Sequence, residues 1–393
     1  MLALAVLLSL AAPSLTAARA AANLDVSTVT HEAYGCGVIC QFSKSQPGDL
    51  LKFEAVDPDG LDVITGMSAY RFQYTSRDLN GSPIPATGFI GIPYTSFRKD
   101  RKYPVIAYAH GTIGVFAGCP PSTTPTLYDY TGWSILIEKG YAIVSPDYAG
   151  LGNNYTLHKY LNFPAHANDL YYSLIAARKA FPGVFTDVWM SVGHSQGGGA
   201  VWKLSESNML QAGAAAESIK ILAQASNYAS YDILYESIWL PFNRTKIANI
   251  TQACNYAAMS LAYGLQPSGL FTPAIQNNAD IQKWQDLVAP ANGAKAREPM
   301  MIIQGLNDTA VLHQTTFASF MVTCRYGNEA HLRLYPGMDH SDVLTASSPE
   351  WLAFINGRFA GRKSTGNYSI ITHRPFNAAH VVTDPEAKEI ASI

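Results

Sequence analysis

The chain has 393 residues, 48% of them hydrophobic, with a net charge of −2 and only 14% charged side chains. That is enough apolar material for a large core, in one large domain or one domain carrying an insertion. The near-neutral balance shows no basic patch, which excludes a nucleic-acid partner held by phosphate contacts.

The chain opens with "MLALAVLLSLAAPSLTAARA". Its apolar run, residues 2–12, is too short to span a bilayer as a helix. Ala18-Arg19-Ala20 is a small-x-small cleavage site, so residues 1–20 read as a signal peptide and the protein as secreted; a membrane anchor or a buried helix is the alternative. No later stretch is apolar and long enough for stable membrane insertion. Asn-x-Ser/Thr sequons at Asn80, Asn154, Asn243, Asn249, Asn307 and Asn367 agree with secretion. The five cysteines (Cys36, Cys40, Cys119, Cys254, Cys324) would meet an oxidising compartment, and their odd number leaves at least one thiol free or paired between chains. Cys36 and Cys40 lack a second ligand pair, so no zinc site is read here.

Short β-branched and aromatic runs predict strands over 69–77, 86–94, 103–110, 141–147, 187–192, 218–225, 299–305 and 331–337. Helical patterns lie between the later ones: 163–181, 197–210 after Ser195, 312–324, and 349–359. Strand–helix alternation predicts an α/β fold, a mostly parallel sheet with helices on both faces. The segment beyond about residue 361 is polar and reads as a surface wrap or a disordered tail.

One segment interrupts the alternation. Residues 226–298 are far too many for a plain connection and read as an inserted helical lid. Tyr231, Leu234 and Tyr235 recur there at helical spacing, as packing within the lid or as part of the wall of a substrate pocket. The core is then 21–225 together with 299–393.

"GHSQG", residues 193–197, joins the strand 187–192 to a helix. That context turns a common glycine–serine pattern into a candidate nucleophile elbow, with Ser195 on a strained turn and glycines where strand and helix approach. A serine hydroxyl needs a base, and the base needs an orienting acid. Asp308 follows the strand 299–305, and His340 follows the strand 331–337, each in a loop just past a strand end. Asp339 and Asp342 flank His340 too closely to replace Asp308 and read as helix caps. His194 reads as structural and His313 as the start of a helix. Asn307 lies beside the candidate acid, so it is expected to carry no glycan. Donors for an oxyanion are expected from the backbone of Gln196 and from the loop after 103–110, at Gly111 and Thr112.

With "AHGT" and "CPPS" (119–122), "SPDYAGLG" (145–152), "GHSQGGGA" (193–200), "QGLNDTAV" (304–311) and "YPGMDHSDVL" (335–344), the chain resembles the secretory lipase family, a fungal and bacterial branch of the α/β-hydrolases. The resemblance implies Ser195 as nucleophile, Asp308 as acid, His340 as base, a helical lid, and a disulfide between Cys119 and Cys254. It leaves Cys36, Cys40 and Cys324 without assigned partners. The expected activity is that of a secreted serine ester hydrolase, a triacylglycerol lipase or broad carboxylesterase. It would need no metal or organic cofactor and would take an ester or lipid as substrate, with a lipid–water interface among the places to meet it. An acyltransferase working through the same acyl-enzyme, or a serine peptidase, is the alternative.

Overall fold

A computed structural model of the chain describes residues 44–128, 132–211, 218–220, 254, 279–292 and 294–383. The expected signal peptide (1–20), Cys36, Cys40, and most of the expected lid, with Tyr231, Leu234 and Tyr235, lie outside these residues.

The chain begins with β1 (Leu50–Ala55), β2 (Met67–Arg77), β3 (Pro83–Pro93) and β4 (Tyr103–Ala109). Helix α1 (Ser134–Glu138) leads to β5 (Ala142–Pro146), and α2 (Phe163–Ala180) leads to β6 (Phe185–Gly193). After α3 (Gln196–Ser205) and α4 (Asn208–Gln211) comes β7 (Ser218–Lys220). Helix α5 (Ala279–Val288) precedes β8 (Met300–Gly305), α6 (His313–Arg325) and β9 (Ala330–Tyr335). The last elements are α7 (Asp342–Ala346), α8 (Ser348–Phe359) and β10 (Ser369–Thr372).

The strands order as β1-β2-β3-β5-β4-β6-β7 in one sheet and β10-β9-β8 in a second, with β7 approaching β8. Pairing is antiparallel from β1 to β5. It is parallel from β5 through β4 and β6 to β7, and again from β8 through β9 to β10. The parallel strands therefore end together at one edge, where loops of a site gather.

Helices cover both faces because each central strand is apolar on both. In β4, Val105, Ala107 and Ala109 join one buried cluster with Phe163, Leu170 and Leu174 of α2 and with Ala200, Val201 and Leu204 of α3. Ile106 and Tyr108 point the other way, to Leu136 and Ile137 of α1 and Trp351 and Ile355 of α8. The period of two that makes a strand thus feeds two cores. Helix α2 starts where Asn162 accepts the Ala165 N–H (3.3 Å) and Pro164 sits in the first turn, and it ends on Arg178 and Lys179.

Two expectations are corrected, and two elements are added. The segment after 361 is not only a polar wrap: β10 pairs in parallel with β9, Ile370 opposite Leu332. The helix expected over 197–210 is two helices, α3 and α4. At the break, the buried Glu206 carboxylate accepts the Ala291 N–H (2.9 Å), and Ser207 turns its hydroxyl back to Leu204 O (2.8 Å). Strand β1 and helix α1 were not foreseen. Among the described residues no helix is long and apolar enough to cross a membrane.

Candidate active site

Ser195 sits between β6 and α3 with φ 55° and ψ −121°, a conformation that a non-glycine residue rarely adopts. The glycines around it explain how the turn closes. A Cβ on Gly193 would lie 2.2 Å from Gly197 O, and one on Gly197 only 1.8 Å from Ala109 O. Strand, turn and helix are in backbone contact, so neither position tolerates a side chain.

Asp308 lies in the loop after β8 and is buried, 3% exposed. Its Oδ1 accepts the N–H groups of Ala310 (2.9 Å) and Val311 (2.8 Å). Its Oδ2 stands 2.8 Å from His340 Nδ1 and accepts a longer bond from Gln304 Nε2 (3.4 Å). Gln304 is held in turn by the Thr316 hydroxyl (2.6 Å) and by Val311 O (3.0 Å). A carboxylate so fixed orients the imidazole and sets its tautomer, with the proton on Nδ1.

His340 lies in the loop after β9. The preceding turn is tied to the acid loop by Asn307 N–H on Met338 O (3.0 Å). The N-cap of α7 is Ser341, rather than Asp339 or Asp342 as expected; Asp339 stands just before it and its Oδ1 accepts the N–H groups of Ser341 (2.9 Å) and Asp342 (2.8 Å), so it is occupied locally. His194 Nε2 donates to His340 O at 3.1 Å, and the two rings lie 4.7 Å apart. The residue next to Ser195 thereby grips the histidine loop, bringing elbow, acid and base together. Burial pushes His194 down to about 3, with His340 nearby acting the same way, so its ring is neutral and carries one N–H to give. His313 begins α6, as expected.

Gly111 passes close to the elbow: a Cβ there would lie 3.4 Å from Ser195 Cβ and 3.5 Å from His194 Nδ1. Gln196 occupies the first position of α3, where a helix N–H has no partner within the helix. Its buried side chain runs back into a group of histidines, with Nε2 3.0 Å from His166 Nε2 and 3.5 Å from His158 Nε2. Its Oε1 faces the Thr112 hydroxyl at 3.3 Å. His158 and His166 were not singled out from the sequence, because their link to Gln196 exists only in three dimensions. Cys119 and Cys254 form a disulfide, and Gly114 bridges Cys254 in antiparallel fashion. Cys324 is a free, half-buried thiol on α6.

Strands in this order, with helices on both faces and a serine on the strand-to-helix turn after β6, give the α/β-hydrolase fold. Among solved structures the chain is similar to lipase A of Candida antarctica, at 12% identity over 84% of this chain and 86% of that one, with a TM-score of 0.64. The same lipase in its closed state matches over 94% of both chains at 12% identity, with a TM-score of 0.65. The rice cell wall degrading esterase LipA from Xanthomonas oryzae is similar at 17% identity, over 81% of this chain and 100% of that one, with a TM-score of 0.61. At these identities the likeness is one of fold. No family model and no curated protein matches the chain.

Proposed function

We propose that the protein is a serine ester hydrolase of the secretory lipase type, acting as a triacylglycerol lipase or broad carboxylesterase. One observation carries this reading: His340 Nδ1 on the buried Asp308 carboxylate, in a loop bonded to the residue beside Ser195. Ser195 attacks the ester carbonyl while His340 Nε2 takes the hydroxyl proton. The imidazolium, held by Asp308, returns that proton to the leaving alkoxide, and an acyl-enzyme remains. Water, activated by the same imidazole, then releases the acid and restores Ser195. The N–H groups of Gln196, Gly111 and Thr112 receive the oxyanion in both steps.

The residues 226–298 form the lid in this reading, and Tyr231, Leu234 and Tyr235 line the acyl site. Secretion is part of the proposal, and the disulfide between Cys119 and Cys254 fits an oxidising compartment.

Ser195→Ala is the test. With 4-nitrophenyl esters as substrates, turnover should fall by roughly 10⁶-fold while the fold, followed by circular dichroism, stays intact. Hydrolysis within about tenfold of the parent, in a folded variant, overturns the assignment. Rising kcat/KM from acetyl to medium-chain esters is expected of an apolar acyl site, since each buried methylene contributes about 0.8 kcal/mol.

A further inference from the structure

The loop after β4 carries three consecutive carbonyls, and each is bonded from behind. Tyr148 donates its hydroxyl to His110 O at 2.9 Å. The His110 imidazole reaches Gly111 O through Nδ1 at 2.6 Å. Tyr128 donates its hydroxyl to Thr112 O. The Thr112 side chain is held too, its hydroxyl 2.8 Å from that of Tyr160.

A trans peptide unit is planar, so a carbonyl and the following N–H point in opposite directions. Fixing His110 O therefore aims the Gly111 N–H, and fixing Gly111 O aims the Thr112 N–H. The close approach of Gly111 to Ser195 puts the elbow beside this loop. Burial pushes His110 down to about 4, so the ring is neutral and has a single N–H. Its contact with Gly111 O is shorter than the 3.2 Å from Nε2 to Asp147 O, which assigns that proton to Nδ1.

The clamp is built at a cost in backbone freedom. Tyr128 and Tyr148 take φ of 54° and 68°, values unusual for aromatic residues. Tyr148 is fully buried, its ring 4.3 Å from that of His110 and 4.3 Å from that of His166. Strained, over-determined residues of this kind gather at functional sites.

We propose that Tyr148 and His110 are positioning residues that aim the backbone N–H groups of Gly111 and Thr112 at the oxyanion formed on Ser195, while Tyr128 anchors the far end of the same loop at Thr112 O. The inference rests on the proposed role of Ser195 and names which residues tune it. The three side chains act through the loop they hold. Their effect belongs to the transition state, because donors fixed in advance need no reorganisation when charge develops.

Tyr148→Phe and Tyr128→Phe each delete one oxygen. Either should lower kcat on a 4-nitrophenyl ester by about tenfold to a hundredfold and leave KM within about twofold. Affinity for an arylboronic acid, whose serine adduct copies the tetrahedral intermediate, should fall in step with kcat/KM. Tyr141→Phe is the control: that hydroxyl bonds Asn356 of α8 from the opposite end of β5, and its loss should leave kcat and boronate affinity unchanged. If both test variants fold and keep kcat and boronate affinity within about twofold, the clamp has no catalytic role. If the buried Tyr148→Phe does not fold, His110→Leu decides, since it deletes the bond to Gly111 O that aims the Thr112 N–H. Labelling of the parent by a fluorophosphonate separates the two readings. A Ser195 left unlabelled overturns both, whereas a labelled Ser195 with unaffected tyrosine variants overturns only the clamp.

Discussion

Backbone stands where Gly193 and Gly197 would carry a side chain, and that fixes what these residues can be. A methyl on Gly197 would meet Ala109 O at 1.8 Å, so Gly197→Ala must push α3 off the end of β4. The expected loss of stability is about 3 kcal/mol, the upper end for overpacking, with loss of turnover. Gly60→Ala is the matched comparison, since nothing lies within 4 Å of its added Cβ, and urea unfolding of the two variants should separate them clearly. His194 makes a second case at this scale. Its Nε2 bond to His340 O is the link from elbow to base. His194→Phe should lower kcat between about tenfold and a hundredfold, the cost of a misplaced catalytic group. His194→Gln, which can put an amide N–H in the same place, should recover much of it. Activity kept by His194→Phe and lost by His194→Gln would show that the ring is needed for bulk rather than for the bond.

At the scale of elements, the disulfide joins the loop after β4 to residue 254 of the expected lid across 135 residues of sequence. Constraining a loop of that length removes unfolded-state entropy worth up to about 5 kcal/mol. Replacing both Cys119 and Cys254 by Ser should therefore shift the urea midpoint well down. An unchanged midpoint would mean that the bond contributes nothing in solution. The pairing was legible in the sequence only through the family resemblance, because five cysteines leave many pairings open. The central strands were legible for a physical reason. Runs such as "PVIAYA" in β4 are buried on both faces and so are apolar throughout. Asp308 and His340 were legible because polar residues directly after such runs fall at strand ends. Strand β10 was overlooked: Ile370, Ile371 and Thr372 are β-branched, but the run is short, lies in a polar segment and keeps contact with solvent. The break between α3 and α4 was hidden as well, because it depends on Ala291, far along the chain. The tyrosine clamp was hidden for the same reason: Tyr128 and Tyr148 lie in loops whose contacts with residues 110–112 are set by the fold.

The whole molecule buries an unusual set of titratable groups next to the site, and their opposing shifts decide its stability at acid pH. His110, His158 and His166 are at most 2% exposed. Burial pushes His110 down to about 4, His158 to about 3, and His166 well below its ordinary value. In the unfolded chain each titrates near 6.5. The unfolded state thus takes up three protons that the fold refuses, and stability falls as pH drops below about 6.5. Asp147 and Asp169 act the other way. Burial raises both to about 6, so the fold binds their protons before the unfolded chain does, near 3.9. Between pH 6 and 4.5 the balance is one extra proton on the unfolded state, a slope of about 1.4 kcal/mol per pH unit. Asp147 accepts bonds from the Ser122 N–H (2.8 Å), the Ser122 hydroxyl (2.6 Å) and the Thr87 hydroxyl (2.7 Å). Were these donors to keep it ionised to lower pH, the slope would steepen and the sign would stand. His194, which burial also pushes down to about 3, acts in the same direction and adds to that slope. Urea unfolding at pH 7, 6 and 5 should show stability falling with pH, most steeply below 6. Equal or greater stability at pH 5 than at pH 7 would mean that the buried histidines are protonated in the fold, and the neutral Gly111-bound form of His110 would fall with that result.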